Sequence, residues 1–144
     1  MLIRPIVPQQ TYALRHAVLW PDKPPVYVQL EDDHEGYHFG VFLPDAAAAK
    51  PDRAGAPIAV ISLFVVGPVA RFRKFATHAD WQGQGIGTAL LIHVFAEARR
   101  LGATRIWCDA RLTAADFYRR FGMKPEGAVF YKGPIAYAKF SVML

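Results

Sequence analysis

The 144-residue sequence predicts an α/β (α+β) fold. Three observations carry the prediction: short apolar strands alternate with helical stretches, no segment repeats, and a glycine-rich turn opens one long amphipathic helix. A chain of this length is the usual size of one domain and can bury a core without covalent staples, so a single domain over residues 1–144 is expected. Hydrophobic residues make up 53% of the chain, a share that disordered sequences do not reach.

Taken in order, Leu2 to Ile6 reads as a strand. Pro8 to Leu19 reads as a helix, with Pro8 suited to a first turn and Trp20-Pro21 closing it. Asp22 to Pro25 is loop, and Glu31 to Glu35 an acidic turn. From Tyr37 to Leu43 the alternation puts Tyr37, Phe39, Val41 and Leu43 on one face, which predicts a half-buried strand. Residues 44–57, PDAAAAKPDRAGAP, read as a mobile hairpin connection. Ile58 to Val66 is almost wholly apolar and predicts a central strand.

Arg71 to Thr77 is the next strand, and its phase is broken. Phe72 and Phe75 sit three apart and cannot share a face of an unbroken strand. Either Phe75 faces the other side, or an extra residue near Arg73 or Lys74 forms a β-bulge. Ile86, Leu90, Val94 and Leu101, with Phe95 and Ala98, recur at helical spacing, and Gly102 ends that helix. Arg105 to Ala110 is again a strand. Thr113 then reads as the N-cap of a helix from Ala114 to Phe121 that stops at Gly122. Ala128 to Tyr131 and Ile135 to Val142 close the chain as paired strands joined across Lys132-Gly133-Pro134.

Composition narrows the function classes. Cys108 is the single cysteine, so an internal disulfide and a Cys-x-x-Cys redox pair are excluded. With no histidine near it in sequence, Cys108 reads as a buried structural thiol rather than a nucleophile. His93 has no partner at metal spacing and no recognisable zinc set exists, so no metal is expected. The N-terminal MLIRPIVPQQ lacks the apolar core of a signal peptide, and charges interrupt every apolar run below the roughly 18 residues of a membrane span. A cytoplasmic protein with no membrane association is the expectation. The net charge of +5 favours anionic ligands in a general way, but the basic residues are scattered, so no nucleic-acid partner is expected.

The stretch WQGQGIGTAL, Trp81 to Leu90, packs three glycines into five positions ahead of the long helix. Clustered glycines there let backbone N–H groups approach a phosphate closely. A dinucleotide fingerprint fails: counted from Gly83 and Gly85 its third glycine falls on Thr88, and from Gly85 and Gly87 on Leu90. A P-loop fails as well, because the loop contains no lysine.

The remaining pattern, Gln82-x-x-Gly85-x-Gly87 between a strand and a long helix, resembles motif A of the GCN5-related N-acetyltransferases. A second stretch, AADFYRRFGM, is similar to that family's A-x-x-F-Y-x-x-x-G-F pattern, with Ala114, Phe117, Tyr118 and Gly122 matching and Met123 in place of the last aromatic. The resemblance is specific from about Phe72 to Met123. It implies a mixed, mostly antiparallel sheet of six or seven strands with flanking helices, in which two central parallel strands splay apart. It also implies acetyl-CoA as co-substrate, without a metal. Main-chain groups of Phe75, Ala76 and Thr77 would pair with the pantetheine arm, and Gln82, Gly83, Gln84, Gly85, Ile86, Gly87 and Thr88 would hold the pyrophosphate.

Tyr118 would be the general acid that protonates the departing thiolate. No base is assigned: RFRKFAT has no acid, and His78, Asp80 and Asp109 are only the nearest candidates in sequence. The acceptor would be a small-molecule amine or a protein or peptide amine. Tyr12, Trp20, Tyr27 and Tyr37 could wall its pocket, and the Glu31 to Glu35 run could attract a cationic amine, but core packing and a solvated turn are the favoured readings of them. A rival reading is an acyl-CoA-binding module without turnover. Relatives often form homodimers, but nothing in this sequence marks an interface.

Overall fold

In a computed structural model, which describes residues 1–44 and 55–144, the strands are β1 (Leu2–Ile6), β2 (Tyr37–Phe42), β3 (Ala59–Val66), β4 (Val69–Thr77), β5 (Arg105–Arg111), β6 (Lys124–Lys132) and β7 (Ile135–Met143). They form one sheet in the order β1-β2-β3-β4-β5-β7-β6. Every neighbouring pair is antiparallel except β4 and β5, which run parallel. The expected mixed sheet with one central parallel pair is what forms.

Helix α2 (Ile86–Arg100) connects the parallel pair and lies on one face of the sheet. Its inward stripe of Ile86, Leu90, Leu91, Val94, Phe95 and Ala98 meets Ile61, Leu63, Phe72 and Ile106 in the main core. Gly102 follows at φ +92°, the left-handed conformation that ends such a helix, and Ala103 N–H donates to the Ala98 carbonyl. No helix among the described residues is long and apolar enough to cross a membrane.

The opposite face is covered by the N-terminal helical segment. It tightens and loosens along its length: 3-10 over Pro8–Thr11, α over Tyr12–Leu14 (α1) and π over Arg15–Leu19. Because β2 is covered on both sides, His38 to Phe42 are all buried, and the half-buried reading of this strand gives way to a fully buried one. Part of what fills the second face is polar. Arg15, fully buried, donates from Nη1 to Asp33 Oδ2 and from Nη2 to Asp33 Oδ1, each at 2.8 Å. It also donates to the Val28 carbonyl (3.0 Å) and to Ser62 Oγ (2.8 Å). Ser62 Oγ lies 2.7 Å from His38 Nδ1, and His38 Nε2 lies 2.7 Å from the Asp33 carbonyl. A carbonyl can only accept, so Nε2 carries a proton, and when the ring is neutral Ser62 donates to Nδ1. The acidic run is therefore not simply a solvated turn: Asp33 belongs to the core.

Two local readings are corrected. Thr113 does not cap a helix. It lies inside a 3-10 turn, Leu112–Ala114, and the α-helix that follows, α3 (Ala115–Arg119), starts without a side-chain cap and spans five residues. The penultimate strand is also longer than its apolar centre suggests, reaching back to Lys124, with a register irregularity between Glu126 and Phe130. The connection read at residues 44–57 lies mostly outside the described residues.

Candidate active site

Strands β4 and β5 pair only at Val69–Arg105, Ala70–Ile106 and Arg71–Trp107. Beyond these three pairs β4 continues along β3 as far as Thr77, while β5 continues along β7 as far as Arg111. The two strands part, and β4 is left with an edge that no strand fills. The bulge contributes to this divergence. Val60 faces Ala76 and Ser62 faces Arg73, so Lys74 and Phe75 together oppose the single residue Ile61, and Lys74 takes φ +55°. That settles the broken phase: the Phe72 and Phe75 rings share one side of the sheet, 6.2 Å apart and edge to face.

Two hollows open from the split. One, of about 500 Å³, is lined by Phe75, Thr77, the turn from Trp81 to Thr88 apart from Gln84, and Ala114, Phe117, Tyr118 and Arg120. The other, of about 200 Å³, lies between β4 and β5 under Leu19, Trp20, Lys132 and Tyr137. Phe75, Ala114 and Tyr118 belong to both walls.

The turn of the larger hollow is built from backbone. Gly83 (φ +76°) and Gly85 (φ +79°) adopt the left-handed conformation that disfavours side chains, and a Cβ on either would meet nothing within 4 Å. Gly85 is the N-cap of α2 and has no side chain to cap it. The first bond of the helix is Ala89 N–H to the Gly85 carbonyl (3.1 Å), so the N–H groups of Ile86, Gly87 and Thr88 face the turn without a helical partner. A Cβ on Gly87 would touch the Phe75 ring at 3.4 Å, an ordinary contact that places this part of the turn against the end of β4. Gln82 Nε2 donates to the Thr77 carbonyl (2.9 Å), tying the turn to the end of β4. Free N–H groups at a helix N-terminus, wide backbone and a neighbouring cation on Arg120 form a cradle whose chemistry fits a diphosphate.

Tyr118 is buried among the rings of Phe72 (5.8 Å), Phe117 (5.2 Å) and Phe140 (6.2 Å), yet it borders both hollows. Burial, reinforced by nearby Cys108, pushes its phenol well above the usual range, so it holds its proton at any physiological pH. Cys108 borders the smaller hollow, and burial followed by the Asp109 charge pushes its thiol up as well. The native protein is expected to resist iodoacetamide at neutral pH and to label at Cys108 once unfolded in urea; mass spectrometry reads the difference.

Of the predicted site residues, Phe75, Thr77, Gln82, Gly83, Gly85, Ile86, Gly87, Thr88 and Tyr118 line the larger hollow. Ala76 turns its side chain to the other face, against Leu14 and Val60, and Gln84 reaches the Asp80 carbonyl at 3.4 Å; neither is on the wall. Asp109 lines the smaller hollow and is held by Arg71 (3.0 Å). His78 accepts from Asp80 N–H, and neither residue reaches either wall. Among the four aromatics considered for an acceptor pocket, only Trp20 is in place, with Tyr27 edge-on behind it at 5.3 Å. Arg120, Tyr137, Lys74 and Lys132 were not singled out by sequence; Arg120 sits inside a recognised motif at a position the motif leaves open. Among the described residues no group of three or more histidine, cysteine or carboxylate side chains is placed to hold a metal.

The sequence profile described as the Acetyltransferase (GNAT) family matches residues 8–123. The chain is 28% identical over 134 residues to the "Uncharacterized N-acetyltransferase YitI" of Bacillus subtilis (strain 168), covering 89% of this chain and 85% of that one. In three dimensions it is similar to a crystal structure from Lactobacillus plantarum, with TM-score 0.81, 21% identity, and 100% and 99% of the two chains covered. It is also similar to an aminoglycoside 6'-N-acetyltransferase complexed with coenzyme A, with TM-score 0.74, 12% identity, and 99% and 97% covered. With its profile match spanning most of the sequence, and with the split sheet and glycine turn that the fold requires, the chain belongs to the acetyltransferase (GNAT) family.

Proposed function

We propose that the protein is a cytoplasmic N-acetyltransferase that moves an acetyl group from acetyl-CoA directly to a primary amine. The observation that carries this reading is the position of Tyr118, a protonated phenol on the wall shared by a phosphate-compatible cradle and a second, smaller hollow. The pyrophosphate would rest on the N–H groups of Gly83 to Thr88. The pantetheine amides would pair with the open edge of β4 at Phe75, Ala76 and Thr77, as an added strand does. The acceptor amine enters from the smaller hollow. Its lone pair attacks the thioester carbonyl, the carbon–sulfur bond breaks, and Tyr118 gives its proton to the thiolate as it forms. The proton lost by the amine passes through water and restores the Tyr118 phenol, because Asp109, the one carboxylate on that wall among the described residues, is engaged by Arg71.

Calorimetric titration with acetyl-CoA, with NAD as control, tests the cradle before any acceptor is known. Saturable binding of acetyl-CoA alone supports the reading, and absence of binding removes it. Binding without transfer to any amine would favour the rival, an acyl-CoA-binding module. Among the described residues Arg120 carries the only charge on the wall of the larger hollow, so Arg120→Ala is expected to weaken acetyl-CoA about five- to tenfold. The same variant should leave the affinity for S-acetylpantetheine, which lacks the phosphates, within about twofold.

A further inference from the structure

We infer that the smaller hollow selects an acceptor amine bearing an anionic group, a carboxylate or a phosphate, held by Lys74, Lys132 and Arg111. This rests on the acetyltransferase reading of the site and names the substrate class it takes.

Among the described residues the wall carries five basic side chains, Arg71, Arg73, Lys74, Arg111 and Lys132, and one acidic one, Asp109. Two of the five are neutralised: Arg71 by Asp109 (3.0 Å) and Arg73 by Asp32 (3.2 Å). Arg111 is held by neutral groups, donating to the Leu19 carbonyl (2.6 Å) and to the Tyr137 hydroxyl (3.2 Å). Among the described residues no carboxylate stands within 4 Å of Lys74 or Lys132; Lys132 lies over the Tyr137 ring at 4.5 Å. These three cations share one small concave wall whose one carboxylate among the described residues, Asp109, is paired with Arg71 and acts on Lys132 only at longer range, so the wall keeps a net positive charge. Cations gathered in a partly desolvated hollow repel one another unless a ligand supplies the opposite sign.

The backbone supports the same conclusion. Lys74 is the only residue other than glycine with positive φ among those described, held at the bulge where the strands part. Its ammonium is lowered to about 8, first by burial and then by the charges of Lys132, Arg15 and Arg73, with Asp33 opposing. The acidic run that could have drawn a cationic amine does not reach this wall: Asp33 is spent on Arg15, and Asp32 faces Arg73. A polycationic acceptor such as an aminoglycoside would meet like charge here. The apolar part of the wall, Leu19, Trp20, Phe72 and Phe75, accommodates a carbon skeleton.

The test pairs each acid with a neutral partner of the same skeleton: phenylalanine against phenylalaninamide, and O-phosphoethanolamine against ethanolamine. Binding is read first, without acetyl-CoA, by quenching of intrinsic tryptophan fluorescence, and transfer is read second as release of free CoA thiol. In both readouts at least one acid is expected to exceed its neutral partner about tenfold, and the pair that does so tells carboxylate from phosphate. Lys132→Gln should reduce that ratio several-fold and Lys132→Arg should keep it. The preference should weaken at high salt and as pH rises through about 8, where Lys74 loses its charge beside Lys132, Arg73, Arg15 and Asp33. Neutral partners equal to or better than both acids would overturn the inference, as would a ratio untouched by Lys132→Gln. If the acids bind preferentially but no thiol is released, the anion site stands and the transferase reading falls. If neutral amines are acetylated and the acids are not preferred, the opposite holds.

Discussion

Tyr118→Phe is expected to lower kcat by roughly 10²- to 10⁴-fold while leaving acetyl-CoA affinity within about twofold. The substitution removes one oxygen from a ring packed against Phe72, Phe117 and Phe140, so the packing that shapes both hollows survives. What it removes is a proton donor kept protonated by its own burial. Steady-state rates beside calorimetric affinities separate the two effects. Equal loss of rate and affinity would point to a packing role, and an unchanged rate would end the claim that Tyr118 is the acid.

Asp33→Ala is expected to destabilise the fold by about 3–5 kcal/mol, because it strands the Arg15 guanidinium in the interior without its partner. Urea unfolding followed by fluorescence reads the loss as a lower midpoint at similar slope. The double variant Arg15→Met/Asp33→Leu should recover much of it, since no charge is then left unpaired. The same pair sets an acid limit. Burial works to raise the Asp33 carboxyl. The Arg15 hydrogen bonds, the Leu30 N–H and the Arg15 and His38 charges outweigh burial and hold the carboxyl below its ordinary 3.8. A depressed carboxylate contributes stability that is complete above its unfolded value and is lost as pH falls through the folded one. Thermal midpoints should therefore decline below about pH 3.8 in the wild type and show a weaker decline in the double variant.

The features legible in the sequence were those written in short, contiguous stretches. Three glycines ahead of an apolar period point to a turn and a helix start, and the three-residue gap between Phe72 and Phe75 flagged a break in the strand's phase, with the bulge as one of two ways to account for it that the structure then decided. The acceptor side was not legible in that way. Its charges come from three separate strands, Arg71 and Lys74 on β4, Arg111 on β5 and Lys132 on β6, and only the sheet order brings them together. The place of the acidic run was hidden for the same reason: Asp33 meets Arg15, 18 residues away, across a fold that local pattern does not describe. Thr113 had the composition of a cap, but the chain leaving β5 takes a 3-10 turn first and passes the start of α3 to Ala114.

The three-pair joint between β4 and β5 also bears on how the molecule opens. β1 to β4, with α2 packed on β2, β3 and β4, form one ladder, and β5, β7 and β6 another; the strand rungs at Val69, Ala70 and Arg71 span them, next to the Pro68 carbonyl that accepts from the Thr104 and Arg105 N–H groups. The seam is thus the place where the fewest backbone bonds must break for the two ladders to move apart. A ligand that binds in the split and touches both strands holds the two ladders together, so its arrival would be recorded as slower amide exchange in both, far from any atom it touches.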